Sequence, residues 1–540
     1  MQYLKIIVGA SILLSAQIAA ACGGFFCNNN QPITQAAERI FFGLDEGRIH
    51  MHVRIQYDGP PDQFGWLLPV PADPTLEVKL STEALFDSLD QLYAPRFIVQ
   101  RNFEPGCAPP PQAEFAEDGA TANAGGGEGV NVVSREAVGP YDRVILEAQS
   151  VEELRTWLDD EGFFIPPTID SKLGPYVERG QHFVAIKLLS SASTDDIAPL
   201  YLNFVGSKPS IPIVPTSVAA NPDMGVLVHL LYDKRSVPLN YLHVQINEAA
   251  LDLSNGGQNY PDVVSQAMDE AGGKAFTTDF AGELDGRLEA RIAPIEQSNL
   301  ERLELVGDLF NGGLFTDADF QRVANNVIAF PDGVTPAEFW QDPFSYDELL
   351  SQNLDTDALW AQLEAEVNPA RRELARLMGA HRYLTRLYST LSPEEMTLDP
   401  EFTFNPDMTA DVSNVRTIEV TIACDDTGAP NESAATLVNS AGDTVTVDLS
   451  GANSIRRENG ELIQGLETPA STIIEVTRER GAPTPIDPSQ LPTDTDAEMP
   501  EGDGDDAGFN WGCTTQSDAP SLPFILAMLA LFGIRRSRLR

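Results

Sequence analysis

The sequence predicts an α+β fold, and three observations carry that expectation. Arg48 to Tyr57 alternates apolar and polar residues with the period of a strand. Asp357 to Leu387 carries an apolar stripe at helical spacing, with Leu363, Val367, Leu374, Leu377 and Met378 on it. From Arg416 to Val476 the pattern returns to short β segments between Gly- and Asn-rich turns. Strand–helix–strand crossovers are too few for a doubly wound sheet, so the expected sheets are partly antiparallel.

Residues 22–250 form the expected strand-rich domain. In its first strand Ile49, Met51, Val53, Ile55 and Tyr57 face one way; His50, His52, Arg54 and Gln56 face the other and read as a solvated face. Asp58-Gly59-Pro60-Pro61 ends it as a turn. Phe64 to Pro71 is an apolar strand whose prolines suit a sheet edge. Ser81 to Leu92 predicts a helix, with Ser81 or Thr82 as cap and Leu85, Phe86, Leu89 and Leu92 on one face. Residues 108–131, rich in Pro, Ala and Gly, read as a surface insertion. Strands follow at Tyr141–Ala148, Phe183–Leu189, Leu200–Phe204, Gly225–Tyr232 and Tyr241–Ile246, with a short helix at Val151–Asp160.

Residues 251–410 read as a helical subdomain. A helix opens at Tyr260-Pro261-Asp262 and stops at Gly272-Gly273. Glu301–Phe310 and Tyr346–Leu354 follow, then Asp357–Leu387 as two helices divided near Pro369. Residues 411–480 predict a small antiparallel β region, with strands at Arg416–Ala423, Ala434–Val438, Thr444–Leu449 and Thr472–Val476. Residues 481–510 are a Pro- and Asp-rich acidic linker without a basic residue.

Both ends read as addresses. Residues 1–21 have the form of a signal peptide: Lys5, an apolar run from Ile6 to Ile18, and small residues Ala19 to Ala21 before Cys22. Cleavage between Ala21 and Cys22 implies the export machinery and a signal peptidase as partners. Lipidation of Cys22 is the second reading, although Ala19 stands where such signals usually carry Leu. Residues 511–540 contain Cys513, an apolar run from Leu522 to Ile534, and a basic end with Arg535, Arg536, Arg538 and Arg540. That run is short against the ~20 residues of a membrane span. The order of the three parts resembles the C-terminal sorting tags of myxobacteria. The resemblance implies cleavage by a membrane protease and attachment through the Cys513 region, so that the chain meets the membrane through its tail or a Cys-linked anchor.

The 540 residues include 35 Lys plus Arg against 80 Asp plus Glu, a formal charge of −45, which argues against nucleic-acid and anionic-lipid partners. The five cysteines are Cys22, Cys27, Cys107, Cys424 and Cys513. With Cys513 in the tag, four remain. The short loop with Gly23 and Gly24 permits a Cys22–Cys27 bridge, leaving Cys107–Cys424 as the second. No pair has zinc-site spacing.

Motifs for chemistry are few. The nucleophile elbow, the zinc helix, the phosphate-binding loop and the dinucleotide fingerprint are absent from the sequence. His50 and His52 share a strand face, but Arg48 and Arg54 flank them and repel a cation. His229 and His243 lie in neighbouring strand-like runs and are the pair to watch for a meeting in space. His381 falls in a helical run and reads as packing or a bend. Acidic pairs such as Asp159/Asp160 and Glu394/Glu395 are expected by number alone. Ca²⁺ is the one ion considered, at Asp425 to Gly428 and Asn405 to Asn414; neither matches the twelve-residue EF-hand pattern. No catalytic or metal-binding residue is assigned, and no cofactor is expected.

Several segments together resemble the DUF2330 family of uncharacterised exported bacterial proteins. They are Ala21 to Cys27, Gln35 to Ile40, Phe64 to Pro71, Val138 to Asp142 and Gly180 to Val184. The similarity runs from Cys22 to about residue 280, supports export and the Cys22–Cys27 unit, and implies no activity. The expected protein is exported and anchored at the cell surface or envelope, a non-enzymatic binding or structural component. The alternative is an anchored hydrolase using carboxylates or a His/acid pair.

Overall fold

Gln35–Asp45 (β1) and Arg48–Arg54 (β2) form a hairpin whose two turn residues, Glu46 and Gly47, both have positive φ, +48° and +75°. That conformation twists the turn to match the strands, and glycine adopts it without strain. The computed structural model describes residues 35–54, 65–105, 131–161, 163, 167–189, 197–218, 220–300, 313–328, 330, 333–346, 355–438, 444–447, 449 and four short strands between 457 and 485. All of these belong to the unit Met1–Thr493.

The strands continue with β3 (Trp66–Val70), β4 (Glu77–Leu80), β5 (Arg96–Phe103), β6 (Asn131–Val138), β7 (Tyr141–Glu147), β8 (His182–Leu188), β9 (Leu200–Val205) and β10 (Ala220–Tyr232). Then come β11 (Ser236–Pro238), β12 (Leu242–Ile246), β13 (Ala275–Glu283), β14 (Tyr383–Leu391), β15 (Phe402–Phe404), β16 (Val415–Ile422), β17 (Ala435–Val438) and β18 (Thr444–Val447). Four short ones follow: β19 (Arg457–Glu458), β20 (Glu461–Leu462), β21 (Ser471–Val476) and β22 (Thr484–Pro485). The helices used below are α1 (Glu83–Tyr93), α2 (Val151–Asp160), α3 (Asp170–Glu178), α4 (Tyr260–Glu270) and α5 (Gly286–Arg291).

Ten strands make one mixed sheet in the order β22-β21-β12-β13-β14-β10-β1-β2-β9-β4. β1 with β10 and β12 with β13 pair parallel; the other pairs in this sheet are antiparallel. A second, antiparallel sheet in the order β3-β8-β7-β6 packs on one face. Alternate residues Ile40 and Phe42, Met51 and Val53, and Leu200 and Leu202 meet Trp66, Leu68, Val184 and Ile186 there. Each such side chain contributes about 1.5–3 kcal/mol by leaving water. Proline-bearing β3 lies at the edge of its sheet, and α2 and α3 cover that sheet's outer face through Leu154, Leu158 and Leu173.

The other face of the large sheet lies under helices. Phe41 and Leu231 pack with Phe86 and Leu89 of α1, Leu288 of α5, and Leu374 and Leu377 of the Asn368–Ala380 helix. α4 and a four-stranded sheet, β18-β17-β16-β5, enclose a further core around Val263, Val264 and Val420. The α+β expectation therefore holds.

The structure changes several details. The helical run expected through Leu387 ends at Ala380; Tyr383–Leu391 is instead strand β14, near the centre of the large sheet. The break expected near Pro369 is one residue, Val367, between the Thr356–Glu366 and Asn368–Ala380 helices. The stretch read as helical thus contributes both β13 and β14 to the large sheet. The late β segments are not a self-contained antiparallel sheet, because β16 pairs in parallel with β5, and β21 joins the large sheet beside β12. The expected helices at 301–310 and 347–354 and the insertion 108–130 lie outside the described residues, as does the linker apart from Thr484–Pro485, which is strand β22 paired with β21 rather than unstructured spacer. Among the described residues no helix is long and apolar enough to cross a membrane.

Candidate functional site

The His50/His52 face is not solvated. His52 is fully buried and His50 nearly so. The alternation on β2 is real, but both faces of the strand are covered, one by the second sheet and the other by α1 and the Asn368–Ala380 helix. His52 Nδ1 lies 2.7 Å from Ser81 Oγ, and its ring meets Phe41 edge-on. Burial, then the neighbouring His50, lowers the His52 pKa to about 3, so the ring is neutral. His50 Nδ1 lies 2.8 Å from Tyr201 Oη and 3.2 Å from Glu373 Oε1. Arg54 pairs with Glu83 and Asp87 of α1 at 2.9 and 3.0 Å.

His229 and His243 do not meet. They sit on β10 and β12, with β13 and β14 between them. His381 stands where helix gives way to β14, bonded to Asp233 at 2.9 Å and stacked on Tyr232. Glu38 is buried between the two sheets. Burial, then the charge of Asp399, pushes its pKa up to about 8, and its Oε2 has no hydrogen-bond partner among the described residues. Asp399 accepts the Tyr176 hydroxyl at 2.7 and 2.8 Å.

A separate cavity lies elsewhere. About 440 Å³ in volume, it lies along β12 and β13 and is closed by the Met408–Arg416 segment. Its polar residues converge on Thr278. Arg235 Nη2 donates to Thr278 Oγ1 at 3.3 Å, His243 Nε2 lies 2.7 Å from the same oxygen, and Arg416 Nη2 donates to the Thr278 carbonyl at 2.8 Å. Each side chain is held from behind. Arg235 Nη1 reaches the Ala410 carbonyl at 3.4 Å, and the Arg416 guanidinium lies over the Phe97 ring. Strand alternation puts Val244 and Ile246 into the α4 core, so His243 and Gln245 take the opposite face. Burial, then the charge of Arg235, lowers the His243 pKa to about 3. Asp411 and Glu248 also line the cavity, and Asp411 accepts the Tyr383 hydroxyl at 2.9 Å.

A β-bulge at Asp279 sits immediately beside this cavity, interrupting the β13–β14 register between Thr278 and Phe280. Asp279 is fully buried, accepts the Tyr260 hydroxyl, and lies 3.4 Å from Arg386 Nε.

A model of one family matches residues 16–403. The chain belongs to the DUF2330 family, uncharacterised proteins conserved in bacteria. The DUF2330 match reaches β15, extending beyond the stretch to about residue 280 that the motifs cover, and so takes in β13 and β14. It also contains Arg235, His243 and Thr278, whereas the closing wall from Met408 to Arg416 lies beyond it. No curated protein and no solved structure matches the chain.

Of the residues singled out in sequence, Ala21, Cys22, Cys27, Cys107, Cys513, Arg535, Arg536, Arg538 and Arg540 lie outside the described residues. Asp425, one of the Ca²⁺ candidates, uses Oδ1 to accept Thr427 N–H, Ala429 N–H and the Thr427 hydroxyl. In the other acidic stretch Asn414 donates to the Leu92 and Ala94 carbonyls and so ties down the end of α1. Among the described residues no group of three or more His, Cys, Asp or Glu side chains is arranged to hold a metal.

Sequence reasoning did not single out Arg235, Thr278 or Arg416. One signal was available: Asp279 is an isolated acid inside the apolar stretch Ala275-Phe276-Thr277-Thr278-Asp279-Phe280-Ala281. A buried acid in such a stretch needs a cation or a hydroxyl beside it.

Proposed function

We propose that the protein is an exported component of the cell envelope, held at the outer surface through its C-terminal tag, whose folded body serves by binding rather than by catalysis. One observation carries the binding part: a cavity of about 440 Å³ is lined by fixed polar side chains, Arg235, His243 and Arg416, gathered around Thr278. The hydrolase alternative that would place His229, His243 and an acid in one cleft lacks that meeting, because two strands separate the histidines.

The termini support export and anchoring, through the signal-like residues 1–21 and the Cys513, Leu522–Ile534 and Arg535–Arg540 sequence. The second bridge in the scheme, Cys107–Cys424, would itself need an oxidising location. Cys424 is disulfide-bonded, and β5 and β16 end side by side at Phe103 and Ile422, four and two residues before the two cysteines.

The test is fractionation of cells making the native protein or Cys513→Ser. The native protein should be surface-accessible and lack residues 1–21 and the Arg-rich end by intact mass. The Cys513→Ser variant should be released or unprocessed. Unchanged surface display of the variant, with both ends retained, sinks the proposal.

A further inference from the structure

The Thr278 hydroxyl has one proton to give. Arg235 is always a donor, so Oγ1 accepts from it. His243 Nε2 is the other described partner of this oxygen, and it can take the hydroxyl proton. Oγ1 has two lone pairs, so this contact is met with the ring proton on either nitrogen. His243 is only 4% exposed, and its Nδ1 has no hydrogen-bond partner among the described residues. A buried ring nitrogen left unmatched costs about 1–3 kcal/mol. His243 lines a cavity together with Arg235 and Arg416, in a chain of net charge −45.

The geometry points to this cavity as a binding site for a small oxyanion, a carboxylate or phosphate group, held by Arg235 and Arg416 beside His243. The inference deepens the binding reading above and rests on it. Guanidinium groups present paired donors that match the planar carboxylate or two phosphate oxygens. Their positions are set before any ligand arrives, through Ala410, Thr278 and the Phe97 ring, which lowers the ordering cost of binding. Glu248 and Asp411 limit the charge that fits. They disfavour a polyanion and leave room for a ligand of low charge.

Isothermal titration of the full chain with inorganic phosphate, and separately with acetate, at fixed ionic strength tests the site. At least one probe should bind saturably, and which one does distinguishes a phosphate from a carboxylate ligand. Arg416→Gln should weaken that binding about tenfold, the loss of one charge-assisted contact. Asp411→Asn keeps the acceptor for Tyr383 while removing a repelling charge, and should tighten binding about threefold. A variant that merely damaged the fold would not tighten it. Absence of saturable binding by either probe to folded protein overturns the inference, as does binding that neither substitution changes. Either failure leaves the Cys513→Ser fractionation result untouched, so the surface reading stands or falls separately.

Discussion

The two faces of the large sheet solve the same burial problem in different ways. The face toward the second sheet is almost entirely apolar, with Ile40, Phe42, Met51, Val53, Leu202 and Val228 closing against Trp66 and Ile186. The face toward the helices buries charge. Arg39 pairs with Asp90, Arg54 with Glu83 and Asp87, and Arg386 with Asp279. Above that face Arg371, 1% exposed, bonds both Asp317 and Asp319 at 2.8 Å. Asp319 in turn accepts the Thr82 hydroxyl and the Glu83 N–H, and so caps α1 from 237 residues away. A cap supplied from so far along the chain joins elements that no local signal connects. The lesson is that a polar face covered by a helix is cohesive only while every charge keeps its partner.

The largest break in that contrast is expected at Arg371. Arg371→Ala leaves two buried carboxylates without their shared cation and should cost about 3–5 kcal/mol in urea unfolding. A loss below about 1 kcal/mol would remove the paired-charge account of this face. On the apolar face the matching substitution is Trp66→Ala, also about 3–5 kcal/mol, from lost transfer energy and the cavity left behind. The two differ in kind. Arg371→Met, which fills space without charge, should not restore the first, because Asp317 and Asp319 remain unpaired; recovery with Met would refute that mechanism.

Glu38 sharpens the contrast with a smaller effect. It is a buried acid that alternation on β1 places with Ile40 and Phe42 on the apolar face, and its pKa is raised from 4.5 to about 8. The folded state therefore keeps a proton that the unfolded state loses above 4.5. Unfolding then releases that proton, so this residue's contribution to stability falls as pH rises from about 4.5 to about 8. Glu38→Gln should be nearly neutral near pH 4.5 and stabilise by a few kcal/mol at pH 8, on the scale of about 1.4 kcal/mol per pH unit. Equal unfolding midpoints for both forms at pH 8 would count against a neutral buried carboxyl.

Much of the fold was legible. Val151–Asp160 is helical over those same residues, and Ser150 caps it as its side-chain chemistry allows. Met51 and Val53 face the core as the alternation requires. The failures have specific causes. Tyr383–Leu391 follows a helix without a strong stop, and Leu384, Leu387 and Leu391 keep near-helical spacing, so the local pattern fits either structure. His50 and His52 read as wet because alternation identifies two faces without saying whether both are covered. The cavity was invisible for a related reason: Arg235, His243, Thr278 and Arg416 span about 180 residues and share no motif.

By itself the sequence determined the local periods, most helix and strand types, the acidic composition and the family. Each follows from side-chain spacing or composition within a short window. The tertiary structure alone decided which polar face would be buried, which acids would meet which arginines, and that two guanidinium groups and an imidazole would converge on Thr278. Those outcomes depend on β-pairing and helix packing across hundreds of residues, where the free energy of covering a face is set by what arrives to cover it.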